Sequence, residues 1–125
     1  MGRSDFGSRR GAVAVEFAIA LPLVLLFVIG LLEFGRLIWM KTTLDYAVEA
    51  AARCAAIDAA LCGSAGETES FAVSAAAGLP VDAGNFAVAE AQCGVLVSGS
   101  MPFSFAVPAL FPFSLTLSAE DCYPH

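Results

Sequence analysis

Hydrophobic and polar positions divide the chain into two stretches with different patterns. Residues 17 to 32 carry no charged side chain, and the apolar run extends outward to Ala12 and Met40. That length is enough to cross a hydrocarbon core of about 30 Å at about 1.5 Å per residue. Because a soluble helix of this length is seldom apolar on every face, the run predicts one transmembrane helix over about residues 12 to 38.

The helical pattern continues beyond this segment to about residue 56. Apolar residues recur there at steps of three and four, which is typical of one amphipathic stripe. The members of the stripe are Leu37, Met40, Leu44, Ala47, Ala51 and Cys54. Such a stripe packs either on a sheet of its own chain or on helices of neighbouring subunits, and both interpretations stay open for different parts of the helix. We therefore predict a long helix over residues 12–56 and a head over residues 57–125.

The head reads as a short helix followed by strands. Ser64 and Glu67 form a capping-box sequence, which predicts a second helix from about Ala65 to Ala77. Beyond Pro80 the pattern changes to alternation, which predicts a small antiparallel sheet of three or four strands. The predicted strand segments are 86–90, 95–97, 103–107 and 114–118. The expected fold class is α+β and pilin-like, with four phenylalanines assigned to the core: Phe103, Phe105, Phe111 and Phe113.

Composition and charge narrow the class of protein. A hydrophobic fraction of 58% and a mean hydropathy of +0.78 exceed those of an ordinary soluble domain. The net charge is -6, yet the first ten residues are basic through Arg3, Arg9 and Arg10. An acidic body argues against nucleic acid as a partner. The basic N-terminal edge predicts a cytoplasmic N-terminus and a head on the opposite side of the membrane.

The four cysteines all follow the apolar run, which predicts two disulfides in an oxidising compartment. Cys54 and Cys62 flank a short turn, and Cys93 and Cys122 would join the first strand region to the C-terminus. We prefer these two pairs, although four cysteines allow three pairings and the sequence does not choose among them. No closely spaced cysteine pair or second histidine supports a metal site, and no cofactor motif is present.

Three features inside the long helix need an explanation. Glu16 lies near the membrane boundary, where a carboxylate either reaches the interface or pairs with a positive group of a neighbouring subunit. Pro22 removes a backbone donor and is expected to kink or loosen the helix. Glu33 and Arg36 are spaced for an ion pair at the outer interface.

The residues from Arg9 to Phe17 resemble a prepilin-peptidase site, in which a basic leader ends in glycine and glutamate is the fifth residue of the mature chain. Cleavage between Gly11 and Ala12 would place Glu16 fifth. The wider resemblance is to the TadE-like family, minor pseudopilins of the Tad (tight adherence, Flp-type) pilus. It is carried by Glu16-Phe17-Ala18, Leu21-Pro22, Glu33-Phe34-Gly35-Arg36 and Ala51-Ala52-Arg53.

The resemblance implies that a prepilin peptidase removes residues 1–11 and that Glu16, with Phe17 beside it, acts in subunit assembly. Glu16 would neutralise the new N-terminal amine of an adjacent subunit. The implied partners are the prepilin peptidase, other pilins or pseudopilins, the inner-membrane Tad assembly platform and membrane lipid. The implied location is the bacterial inner membrane, with a periplasmic head that is also incorporated in an extracellular pilus.

Three other classes of function compete with a pilus subunit. No arrangement of nucleophile, base and acid is apparent, and the one histidine is His125, so an enzyme is the least favoured class. The main alternative is an uncleaved single-pass envelope protein that supports a secretion or pilus assembly complex. A weaker alternative is an adhesive tip domain that binds a surface through exposed aromatic residues.

Overall fold

A computed structural model describes the backbone of residues 5–125 and the side chains of residues 9–125. Arg3 of the predicted leader lies outside the described residues. Helix α1 spans Asp5–Ile57, and the chain divides between Gly35 and Arg36 into two units. We call residues 12–35 the apolar segment. From here on, the head means residues 36–125, which are the second half of α1 together with the predicted head of residues 57–125. The prediction of a long helix followed by a short helix and an antiparallel sheet is confirmed.

Helix α1 is continuous in spite of one proline in its first half. Pro22 has no N–H, so the carbonyl of Ala18 loses its usual helical donor, and α1 nevertheless continues through both residues. The helix ends where Asp58 turns the chain, because the Asp58 carboxylate accepts hydrogen bonds from the backbone N–H groups of Ala60 and Leu61. Asp58 is thereby the N-cap of a further helical turn, α2, at Ala59–Cys62.

Helix α3 spans Ala65–Ala75 and begins with the predicted capping box. The Ser64 hydroxyl accepts from the Glu67 N–H at 3.3 Å, and the Glu67 carboxylate accepts from the Ser64 N–H at 3.0 Å. These two bonds satisfy donors that a helix N-terminus would otherwise leave free. The helix stops at Ala75 rather than Ala77, and a short 3-10 turn at Ala83–Asn85 leads into the sheet.

The sheet has three antiparallel strands in the order β1, β2, β3. They span Phe86–Ala91, Gly94–Phe103 and Leu115–Tyr123. Strand β2 is central: it begins at Gly94 opposite Ala91 of β1 and ends at Phe103 opposite Leu115 of β3. The β1–β2 turn is therefore at one end of the sheet, and the link from β2 to β3 is at the other end.

The prediction of a strand over residues 103–107 is wrong. Strand β2 ends at Phe103, and residues 104–114 form an irregular connection that we call the apolar loop. Pro108 and Pro112 cannot donate to a sheet ladder. Pro102 lies within β2 opposite Thr116, but β1 pairs only as far as Gly99 and so does not need the N–H that Pro102 lacks.

The head has one hydrophobic core, to which α1 contributes one face. Its buried residues on α1 are Met40, Leu44, Ala47, Val48, Ala51 and Ala52, and those on the sheet include Phe86, Val97, Met101 and Phe103. Small side chains allow a close approach: a Cβ on Gly99 would lie 3.0 Å from Val48 Cγ2. Within the head, the stripe on α1 thus packs on the chain's own sheet. This is one of the two interpretations that the apolar pattern allows.

Two disulfides join the elements of the head, as the cysteine count predicts. Cys54–Cys62 links the last turns of α1 to α2, with 8 residues of sequence separation. Cys93–Cys122 links the β1–β2 turn to β3, with a separation of 29. These are the pairs that the sequence analysis preferred, and no cysteine in the chain is free.

Candidate subunit-assembly site

Most side chains of the apolar segment are exposed, although Glu33 is buried and Ile29 is half-buried. Large hydrophobic residues are exposed throughout it, among them Val13, Phe17, Leu23, Phe27 and Leu32. The described part of the chain contains one helix that is long and apolar enough to cross a membrane, and this segment forms its most hydrophobic stretch. Exposed apolar surface of this extent needs lipid or another protein to cover it.

The predicted processing and assembly residues all lie in the first half of α1. Gly11, Ala12, Glu16 and Phe17 are helical, and their side chains or backbones are exposed. Glu16 is one helical turn beyond Ala12, or about 6 Å along the axis. Glu16 makes no hydrogen bond or ion pair with residues 9–125, whose side chains the structure describes. Its carboxylate is therefore available to a positive group outside this chain.

Arg36 is the first residue of the head, and its side chain is hydrogen-bonded to the first residue of the apolar loop. Its guanidinium donates a hydrogen bond to the carbonyl of Ser104 and stacks over the ring of Phe103, 4.5 Å from the ring centroid. A guanidinium over an aromatic face is an attractive arrangement. Glu33 is buried, and its ion pair with Arg36 stays a prediction. Sequence reasoning missed the contact between Arg36 and the loop.

The four phenylalanines near the loop form one cluster. The ring centroids of Phe105 and Phe111 are 4.8 Å apart in a stacked arrangement, and Phe103 and Phe113 meet Phe105 edge-on at 5.1 Å and 5.0 Å. Phe103 is buried, Phe105 and Phe111 are half-buried, and Phe113 is exposed. The assignment of all four to the core is correct for Phe103 and wrong for Phe113, because the loop turns that ring outward.

Two further features of the head involve polar groups, a cleft and an ion pair. Among the described residues, no three His, Cys, Asp or Glu side chains could hold one ion. A cleft of about 340 Å³ is lined by residues of α1, α2 and α3 and by Asp58, and its charged members are Glu49, Arg53 and Asp58. Lys41 forms an ion pair with Asp45 one turn along α1. These are the features of a solvated helix face.

Comparison with known proteins adds one match. Residues 11–53 match the family model described as TadE-like protein. No curated protein and no solved structure matches the chain. The matched region begins at Gly11 and contains Glu16, Phe17, Pro22, Glu33 and Arg36. It ends just before Cys54, so the resemblance is confirmed for most of helix α1, while residues 54–125 carry no family match.

Proposed function

Because residues 11–53 match the TadE-like family, we propose that this chain is a minor pilin-like subunit, a pseudopilin, of a Tad pilus. It takes part in pilus assembly and through it in adhesion. The observation that carries the proposal is the exposed carboxylate of Glu16, four residues beyond Ala12 on a helix whose apolar stretch is left largely uncovered by the described chain. A single-pass anchor needs the apolar helix but gives no reason for an acidic side chain at that position.

In the proposed cycle the chain starts as a membrane protein. The apolar segment crosses the inner membrane, with the N-terminus cytoplasmic and the head periplasmic, an orientation supported by Arg9 and Arg10 at the N-terminal edge. Two disulfides in the head agree with an oxidising compartment. A prepilin peptidase then removes residues 1–11, and the loss of the leader arginines frees that end of the helix to leave the membrane.

Glu16 gives the assembly step its register. A carboxylate in the hydrocarbon region is unfavourable by about 2.5–3.5 kcal/mol at the centre of the bilayer and by less near its edge. The new amine at Ala12 is also unfavourable there. When helices pack side by side, pairing Glu16 of one subunit with the Ala12 amine of the next offsets part of both penalties and fixes the axial offset. Phe17, beside Glu16 and exposed, packs against the neighbouring apolar helix.

Substitution of Glu16 tests this role. The variants Glu16→Ala and Glu16→Gln are expected to insert into the membrane normally and to abolish incorporation into pili, because both remove the negative charge. The matched control is Glu49→Ala, which removes an exposed carboxylate from the same helix within the head. Immunogold electron microscopy of pili and carbonate extraction of membranes are the two readouts. Normal incorporation of Glu16→Gln would contradict the proposal.

One observation favours a second candidate function, an uncleaved single-pass protein that supports a secretion or pilus assembly complex. The Gly11–Ala12 bond lies inside α1, which begins at Asp5. A helical peptide bond is shielded by its own hydrogen-bonded turn, so cleavage there requires local unwinding. If the leader stays attached, Arg9 and Arg10 remain at the N-terminal end of the helix and keep that end in the cytoplasm. The N-terminal residue of the mature chain separates the two candidates.

A further inference from the structure

We propose that the apolar loop, residues 104–114, lies in the interface of the bilayer that α1 crosses, on the side of the head. The loop would be a second membrane contact, additional to the transmembrane helix, and its ligand is the lipid surface. The inference rests on the membrane-spanning part of the proposed function and is independent of leader cleavage and of incorporation into a pilus.

The composition of the loop fits this location. From Phe105 to Phe113 no side chain carries a charge or a hydrogen-bonding group. The loop is nevertheless at the surface, with Leu110 41% and Phe113 56% exposed. A soluble head gains nothing from an irregular loop of this kind, because exposed apolar patches mark binding surfaces and aggregation sites.

The position of the loop is fixed by Arg36. That residue follows Gly35 directly, so it marks the point at which the chain passes from the apolar segment into the head. Its guanidinium binds the carbonyl of Ser104 and the face of Phe103. The loop therefore begins next to the residue at which the transmembrane helix leaves the hydrocarbon. Counting about 20 residues of about 1.5 Å each from Phe17 reaches the same residue.

The surroundings of Arg36 have the residue types of a membrane–water boundary. Trp39, one turn further along α1, is 51% exposed. A half-exposed tryptophan and an arginine whose stem is apolar are typical of this depth, because both combine an apolar body with a polar tip. An adjacent apolar groove of about 330 Å³ lies between α1 and β3, lined mainly by Leu37, Ile38, Leu115 and Leu117. Acyl chains fit such a groove.

Charge on the head agrees with the same orientation. Glu90 lies at the far end of the sheet, opposite Val95, whereas the loop follows Phe103 at the near end. On β3, Glu120 and Asp121 pair with Ser98 and Val97, which are also nearer the far end than Phe103 is. These three carboxylates on the strands therefore lie away from the loop, and the loop itself has none. A lipid surface thus fits this end of the head better than a basic protein partner does.

The loop can be tested by its depth in a bilayer. The full chain carries Trp39 as its single tryptophan, so a Trp39→Phe background allows one reporter to be placed at a time. Phe113→Trp reports on the loop, Gln92→Trp on the exposed turn at the far end of the sheet, and Phe27→Trp on the apolar segment. Each variant is reconstituted in phosphatidylcholine vesicles with bromine at a shallow or a deep acyl position.

We expect Phe113→Trp to emit at shorter wavelength than Gln92→Trp and to be quenched several-fold more by shallow bromines. Adding Leu110→Asp should reduce that quenching, while Tyr46→Asp, an exposed change elsewhere on the head, should leave it unchanged. Equal quenching at positions 113 and 92, with Phe27→Trp still quenched by deep bromines, would overturn the inference alone. A blue shift at position 113 without bromine quenching would also overturn it, because another protein copy would then cover the loop.

The third reporter separates this failure from that of the proposed function. If Phe27→Trp is not quenched by deep bromines, the apolar segment is outside the bilayer, and both proposals are wrong. Circular dichroism and thermal unfolding of each variant serve as the folding check. Leu110 and Phe113 are exposed, so their substitution is not expected to change either measurement.

Discussion

The two halves of helix α1 use hydrophobic residues in opposite ways. The apolar segment is rich in Leu, Val, Ile and Phe and exposes most of these side chains. The half within the head buries one face only, and much of that face is alanine, at Ala47, Ala51 and Ala52. The buried face of the second half packs on the sheet of the same chain. The exposed side chains of the first half need lipid or another protein to cover them.

The difference explains why one long helix serves two purposes. Small residues in the second half let a three-stranded sheet approach the helix closely, and Gly99 faces Val48 there. Large residues in the first half maximise apolar area, which favours lipid or neighbouring apolar helices. Changes in the two halves should therefore have separable consequences, insertion for one and stability of the head for the other.

The largest effect is expected from a charge in the middle of the apolar segment. Val24→Arg should lower the inserted fraction, because arginine at a helix centre is unfavourable by about 2.5–3.5 kcal/mol. The same change at Tyr46, which is 63% exposed in the head, should leave insertion intact. Carbonate extraction measures the inserted fraction. Equal insertion of the two variants would mean that lipid does not cover the first half.

A core truncation in the second half should act on the head alone. Leu44→Ala removes a fully buried side chain and is expected to lower the free energy of unfolding of the head by about 2–5 kcal/mol. Tyr46→Ala is the matched control, with an expected change within about 0.5 kcal/mol. Denaturant unfolding in detergent followed by circular dichroism gives both values. Normal head stability with defective insertion of Leu44→Ala would contradict the division of roles.

The disulfide that closes the longer loop should stabilise the head more than the other one. Removing Cys93–Cys122 as paired alanines should lower the free energy of unfolding by about 3.5 kcal/mol, and removing Cys54–Cys62 by about 2.5 kcal/mol on the chain-entropy account. The separations are 29 and 8 residues. The same unfolding experiment measures both. Insertion should be unchanged in each case, and a reversed order of stabilities would argue against the loop-closure explanation.

The smallest effect concerns the cap of α3. Ser64→Ala removes one half of the capping box and should destabilise the head by about 1 kcal/mol. Ser74→Ala, on the exposed side of the same helix, is the control, since its hydroxyl bonds only to the Ser70 carbonyl one turn back. A change in melting temperature of the head distinguishes the two. Similar changes for both serines would mean that the cap is not the source of the stability.

Local signals in the sequence were enough for most of the fold. The uncharged run predicts the apolar segment, and the spacing of apolar residues at steps of three and four predicts the buried stripe. Ser64 with Glu67 predicts the start of α3. Alternation at residues 103–107 predicts a strand, but β2 ends at Phe103 and the following residues form an irregular loop. There the aromatic rings pack on each other and on Arg36, a tertiary arrangement that a period of two along the chain cannot distinguish from a strand.

The predicted assembly residues differ from the fold in what determines their contacts. Glu16 was selected from its place in a motif, and the structure shows an exposed carboxylate without showing the group that it meets. Its predicted partner belongs to another subunit, so the folding of one chain contains no information about it. The contact of Arg36 with the apolar loop was missed for the opposite reason. It joins residues 68 positions apart, and no local pattern reports such a pairing.

The N-terminal residue of the mature chain is the most direct test of the pilus-subunit account. The chain would be isolated both from membranes and from sheared pili, and its N-terminal peptide identified by mass spectrometry. The account predicts a peptide that begins at Ala12 in the pilus fraction, with Glu16 as its fifth residue. A chain in normal pili that still begins at Met1, or at any residue other than Ala12, would contradict it.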